Sequence, residues 1–345
     1  MAKISIKSLT DNTKALLLKW DVPTIEADII TNTIVYAHQH EKHTHGITRL
    51  PIYKKKIDQG WLSPSTVPTI NTDFAAISVI DCNNGFGQVV AERAMNLAVD
   101  KASLYGIGAV FVSNSNNFGV AGYFGEIAAK AGMVGMVLTA SAPAIAPEGG
   151  NKSIFGTNPI CVAYPSEDGT YVLDMAISAA ARGKIRLAEK NGEKIPFGWA
   201  VDKDGNPTDD PTAALAGNML AIGGVKGFGL AMVVDLLAGL LSGSSFGGNI
   251  KPLACETDYS RHGHLFVAVN IEKLMPKDEY NLKIKEFVSN IKACGEPGAI
   301  SIPGERSRKK ALANSESVEL KQKQIEDFNL LLSENGINES LTIVE

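Results

Sequence analysis

The chain has 345 residues, a formal charge of −4, 45% hydrophobic residues and 20% charged ones. That apolar content and low charge exclude a largely disordered chain, and the near-neutral balance gives no bulk field for nucleic acid or an anionic membrane. The length suits two ordinary domains or one large α+β body.

The N-terminal stretch MAKISIKSLTDNTK lacks the apolar core of a secretory signal. Cys82, Cys161, Cys255 and Cys294 stand far apart with no CxxC pair, so a reducing, cytoplasmic location is expected. The first 75 residues read as mainly helical. Ile25, Ile29, Ile30, Ile34, Val35 and Ala37 recur near helical spacing, with Thr24 after Pro23 as the predicted N-cap. Residues 60–73, which carry Pro64 and Pro68, read as a connection. Strands are then predicted at 75–82, 108–115 and 133–141, alternating with helices at 87–106 and 121–132. Two further strands are predicted at 160–165 and 170–176, and a hairpin-like region has a DGNP turn at 204–207. The apolar stretch 228–241 contains Asp235 and is too short for a bilayer, so it reads as a buried helix. A strand at 264–270 and helices at 277–294 and 317–333 complete the chain, with Gly336 closing the last helix.

The common nucleotide signatures fail. Neither Gly85-Phe-Gly87, Gly106-Ile-Gly108 nor Gly227-Phe-Gly229 completes G-x-G-x-x-G, and no P-loop is present. His38, His40, His43 and His45 tempt a metal reading. Their spacings of two, three and two give no i, i+4 ligand pair on one helix face, so no metal is expected and a solvated helix end is the plain reading of the first three. His45 precedes Gly46, where the helix stops. Arg49 follows by four residues and Tyr53 by four more. A titratable base, a planar anion clamp and a hydroxyl within nine residues suit chemistry on a small carboxylate.

Two glycine-rich segments look able to receive anions. The loop 147–159 sets Gly156, Thr157 and Asn158 where backbone amides could meet a phosphate. Gly223, Gly224, Val225 and Lys226 precede an apolar helix, and a lysine with free amides at a helix start attracts anions. Arg182 and Lys184 follow the strand 170–176 and point either to phosphate or to solvent.

Taken in order, these segments resemble the type-2 malate/L-lactate dehydrogenase family over about residues 25–305. The resemblance rests on HTHGITRLPIY (43–53), GFGQVVAERAM (85–95), NSNNFGVAGYF (114–124), GTNP (156–159), LDMAIS (173–178), IPFGWAVDKDGNPTDDP (195–211), GGVKGFGLAMVVDLLAG (223–239), GHLFVAV (263–269) and PGE (303–305). It implies an α+β, non-Rossmann fold with a largely antiparallel sheet. The implied division is a helical substrate and dimerisation domain at 1–74 and 275–345, and an NAD(P)-binding domain at 75–274. It also implies a homodimer and exchange of a 2-hydroxy acid with its 2-oxo acid.

By the same resemblance His45 is the catalytic histidine, with Thr44 at a serine position, and Arg49, Tyr53 and Asn117 contact substrate. The resemblance places cofactor contacts on Val172, Leu173, Asp174, Met175 and Ala176, on Val225 and Lys226, and on Gly304, Glu305 and Arg306, and the glycine-rich loop adds Gly156, Thr157 and Asn158 from its own residues. The family usually has histidine where this chain has Asn117. Asparagine can hydrogen-bond a substrate oxygen but cannot carry a proton near neutral pH, which strengthens His45 and leaves His262 and His264 as understudies. L-malate with NAD is the expected pair, NADP being the alternative cofactor. The alternatives are another 2-oxo acid or a cyclic imine with NADPH, or a nucleotide- or metal-binding protein without turnover. Asp258, Arg261 and Lys184 are candidates for the far end of the substrate.

Overall fold

The computed structural model describes residues 1–147 and 149–344. Strand β1 (Ala2–Ser5) leads into helix α1 (Ile6–Lys19), where the Ser5 hydroxyl accepts the Ser8 N–H. The cap of helix α2 (Thr24–Gln39) lies one residue earlier than predicted: Pro23 takes the cap position, with no side-chain capping bond, and Thr24 is the first helical residue. Two single 3₁₀ turns, His43–His45 and Ile47–Arg49, join α2 to α3 (Leu50–Asp58).

The predicted connection holds a strand, β2 (Thr69–Phe74), paired with β3 (Ile77–Asp81). β2 is exposed along its whole length, so no apolar alternation marks it. Next come α4 (Gly87–Tyr105), β4 (Ile107–Ser115), α5 (Ala121–Lys130), β5 (Met133–Thr139), β6 (Ile160–Tyr164) and β7 (Tyr171–Met175). α6 (Arg182–Asn191), β8 (Ala200–Val201), α7 (Pro211–Ala216) and β9 (Asn218–Met219) form a small polar unit. α8 (Val225–Val234) continues through one π-helical turn, Asp235–Leu240, before β10 (His262–Asn270). α9 (Lys277–Lys292), α10 (Glu305–Ala313), β11 (Ser317–Leu320), α11 (Gln322–Glu334) and β12 (Ile343–Val344) end the chain.

One seven-stranded sheet has the order β2-β3-β4-β10-β5-β6-β7. Only β3 and β4 run parallel; the other neighbours are antiparallel. β10 lies at its centre, and its run HLFVAVN is apolar because both faces are covered. Phe266 and Ala268 pack under α4 and α5, while Leu265 and Val267 pack toward α8. β7 is an edge strand.

A second core gathers α1, α2, α3 and α11 around a three-stranded sheet, β11-β1-β12, and takes in Phe86 and Val89 from the α4 region. The predicted helix 317–333 therefore divides. Val318 pairs with Ile4 and Leu320 with Ala2 in β11, and the helix starts only at Gln322. α9 packs Val288 and Ile291 on Tyr171 and Ile302. The apolar helix expected at 228–241 is only half-covered: Leu230, Met232, Val233, Leu236, Leu240 and Leu241 are 42% to 52% exposed.

Candidate active site

α2 ends at Gln39, and the chain turns back sharply through Lys42, whose N–H donates to the Ala37 carbonyl at 2.7 Å. The two 3₁₀ turns meet at Gly46, and His45 sits at that junction, half-buried. Thr44 Oγ1 lies 3.0 Å from His45 Nδ1. Arg49 Nε donates to the Thr44 carbonyl at 2.7 Å, which leaves both terminal nitrogens of its guanidinium without a protein partner among the described residues. Tyr53 is buried on α3, edge-on to Phe86, and its hydroxyl accepts the Gln88 amide N–H at 2.9 Å.

The charge pattern ties these residues together. Burial pushes the His45 pKa down to about 4; Arg49 and Lys42 add to the fall and Asp174 opposes it. Burial raises the Tyr53 phenol, and Arg49 works against that rise. Asp174 belongs to β7, 129 positions from His45 in sequence, and its charge acts on His45, so the edge strand stands beside the His45 turn. Its carboxylate pairs with Lys42 and accepts the Gly122 N–H at 3.2 Å.

The Gly304 segment joins the same place. The Val172 N–H donates to the Pro303 carbonyl at 3.2 Å. Gly304 has φ +95°, and a Cβ there would stand 2.5 Å from Val172 N. Beyond it α10 docks on the end of α2: Ser307 Oγ lies 2.8 Å from His40 Nδ1, Lys310 pairs with Glu41, and the Asn314 amide donates to the Gln39 carbonyl. The Glu305 carboxylate accepts the Ile302 N–H at 2.9 Å and pairs with Lys292. Arg306 is exposed. Thus Val172 to Met175, Gly304 and His45 converge from three distant parts of the chain.

The other expected contacts stand differently. Asn158 is fully buried and donates to the Ala231 carbonyl while accepting the Ser141 N–H. A Cβ on Gly156 would lie 2.1 Å from Ser141 Oγ, and the Thr157 carbonyl accepts the Ile177 N–H. The side-chain amide of Asn158 fastens this loop to α8. Glu148 of the same loop lies outside the described residues. Val225 and Lys226 open α8 in solvent, and Lys226 has no partner among the described residues. Asn117 is half-buried, its Oδ1 accepting the Gly119 N–H at 3.1 Å.

The histidine cluster is divided among separate tasks: His40 meets Ser307, His38 meets His43, and His45 meets Thr44. Among the described residues no three His, Cys, Asp or Glu side chains gather to hold a metal. His262 and His264 are buried; burial pushes the former down to about 4 and holds the latter well below its ordinary value, and His264 bonds Thr139. Arg261 pairs with Asp258 and Lys184 is exposed. A 630 Å³ cleft is lined by Lys130, Pro165 and Tyr280 and by none of the site residues. Sequence reading missed Lys42, Gln88, Ser307 and the burial of His38. Only His38 left a signal, since it follows Ile34 and Val35 by four and three residues on the buried face of α2.

Known proteins match this chain over nearly its whole length. The sequence profile of the malate/L-lactate dehydrogenase family fits residues 4–329. L-sulfolactate dehydrogenase of Methanocaldococcus jannaschii is 38% identical over 335 residues, 95% of this chain and 97% of that protein. Malate dehydrogenase of Pyrococcus horikoshii is 36% identical over 81% of this chain and 79% of its own length. A (2R)-3-sulfolactate dehydrogenase (NADP(+)) of Chromohalobacter salexigens is 33% identical, with 94% and 96% covered. The solved sulfolactate dehydrogenase of M. jannaschii superposes with a TM-score of 0.93, at 36% identity over 97% of this chain and 98% of that one. With that profile and these relatives covering nearly its whole length, the chain belongs to the malate/L-lactate dehydrogenase family of 2-hydroxy-acid oxidoreductases.

Proposed function

We propose that this protein interconverts a 2-hydroxy acid and its 2-oxo acid with a nicotinamide dinucleotide, on a substrate with a second anionic group at C3. Sulfolactate and malate are the two such acids that relatives' names supply, and sulfolactate leads because it names relatives covering nearly the whole chain. That ranking departs from the malate expectation. NAD is the proposed cofactor, with NADP its competitor. The reading is carried by one observation: the Thr44–His45–Arg49 turn stands against Asp174 on the edge strand of the large sheet.

The chain's residues fit a dinucleotide. The half-buried strand Val172–Met175 offers an edge, Gly304 keeps a Cβ out of the space beside Val172, and Lys226 is a cation at a helix start with no partner among the described residues. When bound, the cofactor supplies the hydride acceptor or donor. The Thr44 hydroxyl accepts the Nδ1–H of His45, so Nε2 is left to take the proton of the substrate hydroxyl. With its pKa near 4, His45 is neutral at pH 7 and ready as a base. Arg49 holds the C1 carboxylate through its two terminal nitrogens while Nε keeps the turn in place. Tyr53 and Asn117 offer further hydrogen bonds to substrate oxygens. We also assign 75–274 to cofactor binding, 1–74 and 275–345 to substrate binding, and the exposed apolar side of α8 to a second copy of the chain.

Steady-state reduction of sulfopyruvate, oxaloacetate and pyruvate, each with NADH and NADPH, tests the proposal. A kcat/KM for sulfopyruvate or oxaloacetate about tenfold above pyruvate is the expected result. A preference for pyruvate would overturn the second anion, and no turnover with any pair would overturn the reaction class.

A further inference from the structure

We infer that His38 is the positioning residue of the catalytic turn, and that it acts as the neutral tautomer protonated on Nδ1. The inference rests on the reading of His45 as the acid/base and extends it to a side chain that touches neither substrate nor cofactor. His38 has no exposed surface. The backbone N–H of Ile47 donates to His38 Nε2 at 3.0 Å. A backbone N–H can only donate, so Nε2 must be bare, and a neutral ring then carries its proton on Nδ1. That nitrogen lies 2.9 Å from His43 Nδ1. His43 must therefore accept there and hold its own proton on Nε2. One unambiguous donor fixes the tautomers of two rings.

The contact is steric as well. A Cβ on Gly46 would lie 2.1 Å from His38 Nε2, so the glycine lets the ring sit directly against the peptide that follows His45. His45 is then held from both sides. Arg49 Nε grips the carbonyl before it, on Thr44, and His38 Nε2 grips the N–H two residues after it, on Ile47. A histidine on a 3₁₀ turn has little regular structure to fix its direction, and misplacement of a reacting group by about 1 Å costs on the order of 10²-fold in rate. Burial pushes the His38 pKa down to about 3, which keeps the accepting nitrogen free of a proton at neutral pH.

Two measurements test this. Long-range ¹H–¹⁵N NMR of the histidine rings in the wild-type protein should show His38 as the Nδ1–H tautomer, unchanged between about pH 5 and 8. This needs no turnover, so it decides the clamp even if the substrate assignment fails. An Nε2–H tautomer would overturn it. In parallel, His38→Gln places an acceptor near the Nε2 position, whereas His38→Asn reaches only the Nδ1 position. His38→Gln should keep kcat within about threefold, while His38→Asn loses roughly 10²-fold in kcat with KM and cofactor Kd nearly unchanged. Equal loss in both variants, or near-wild-type kcat in His38→Asn, would overturn the positioning role. If His38→Asn fails to fold, the tautomer measurement stands as the test.

Discussion

His45 sits where burial and two cations outweigh one carboxylate. Burial and the Arg49 and Lys42 charges depress its pKa to about 4, and Asp174 holds it from falling further. In the oxidation direction the neutral ring is the active form, so kcat/KM should stay flat from neutral pH downward and fall only as pH passes through about 4. Reduction needs the protonated ring, so its rate should rise as pH falls. Asp174→Asn removes the influence that raises the pKa, which moves the oxidation limb to lower pH. Lys42→Met removes one that lowers it and moves the limb up. Opposite shifts in the two pH–rate profiles are the expected outcome; shifts of the same sign would separate Asp174 from His45. His45→Ala should cut kcat by ~10² to 10⁴ with cofactor binding retained. Arg49→Lys loses the planar fork and the Nε bond to Thr44 together. Its substrate KM should rise roughly 10- to 100-fold, which substrate titration of the variant measures.

At the level of elements, Gly304 is a close approach between β7 and the 303–306 segment. Its φ of +95° and the 2.5 Å from a would-be Cβ to Val172 N leave no strain-free place for a side chain. Gly304→Ala should cost about 1–3 kcal/mol in denaturant unfolding and weaken cofactor binding, since β7 must shift to admit the methyl group. Wild-type stability and cofactor Kd in this variant would show that β7 and the 303–306 segment are not closely fitted. This juxtaposition also marks how far the sequence could be read. The run from β3 to β5 was legible because helix and strand periods alternate there, and β10 because its apolar run is unbroken. β2 was hidden by its polar side chains. β1, β11 and β12 were hidden because each is two to four residues long and finds its partner some 300 positions away. The His45, Arg49 and Tyr53 set showed itself through local four-residue spacing. Lys42 with Asp174 could not, since 132 positions separate them. A glycine-rich loop looks alike in sequence whether its side-chain amide faces a ligand or, as Asn158 does here, the next helix.

For the whole molecule, buried neutral histidines set the acid limit of stability. His38, His40, His45 and His262 have pKa values pushed down to between about 3 and about 4, mainly by burial. The unfolded chain binds protons at these positions from about pH 6.5 downward, whereas the folded chain does not. More protons on the unfolded state mean that stability rises with pH in this window. Unfolding temperature should thus fall steadily from pH 7 to pH 4, and His262→Asn or His40→Asn should flatten the slope if the fold survives. A melting temperature constant over that window would show that these rings are accessible when folded.

The side of α8 that faces away from the sheet poses a different problem. Leu230, Met232, Val233, Leu236, Leu240 and Leu241 present a continuous apolar face across α8 and its π turn, with Phe246 beside it. Monomeric proteins rarely leave so much contiguous apolar surface in water, and a helix apolar all round is ordinarily covered. A second copy of the chain would cover it by a self-complementary contact. Because Val225 and Lys226 form the first turn of this same helix, association would also hold the proposed cofactor residues in place. Leu236→Lys puts a charge at the centre of the face without touching the core packed by Ala231 and Val234. Sedimentation should show the wild type at twice the single-chain mass and Leu236→Lys as a folded monomer with weakened cofactor binding. A wild-type chain that stays monomeric at all concentrations would mean that this face is covered by something other than itself. A monomeric variant with unchanged cofactor affinity would separate assembly from the site.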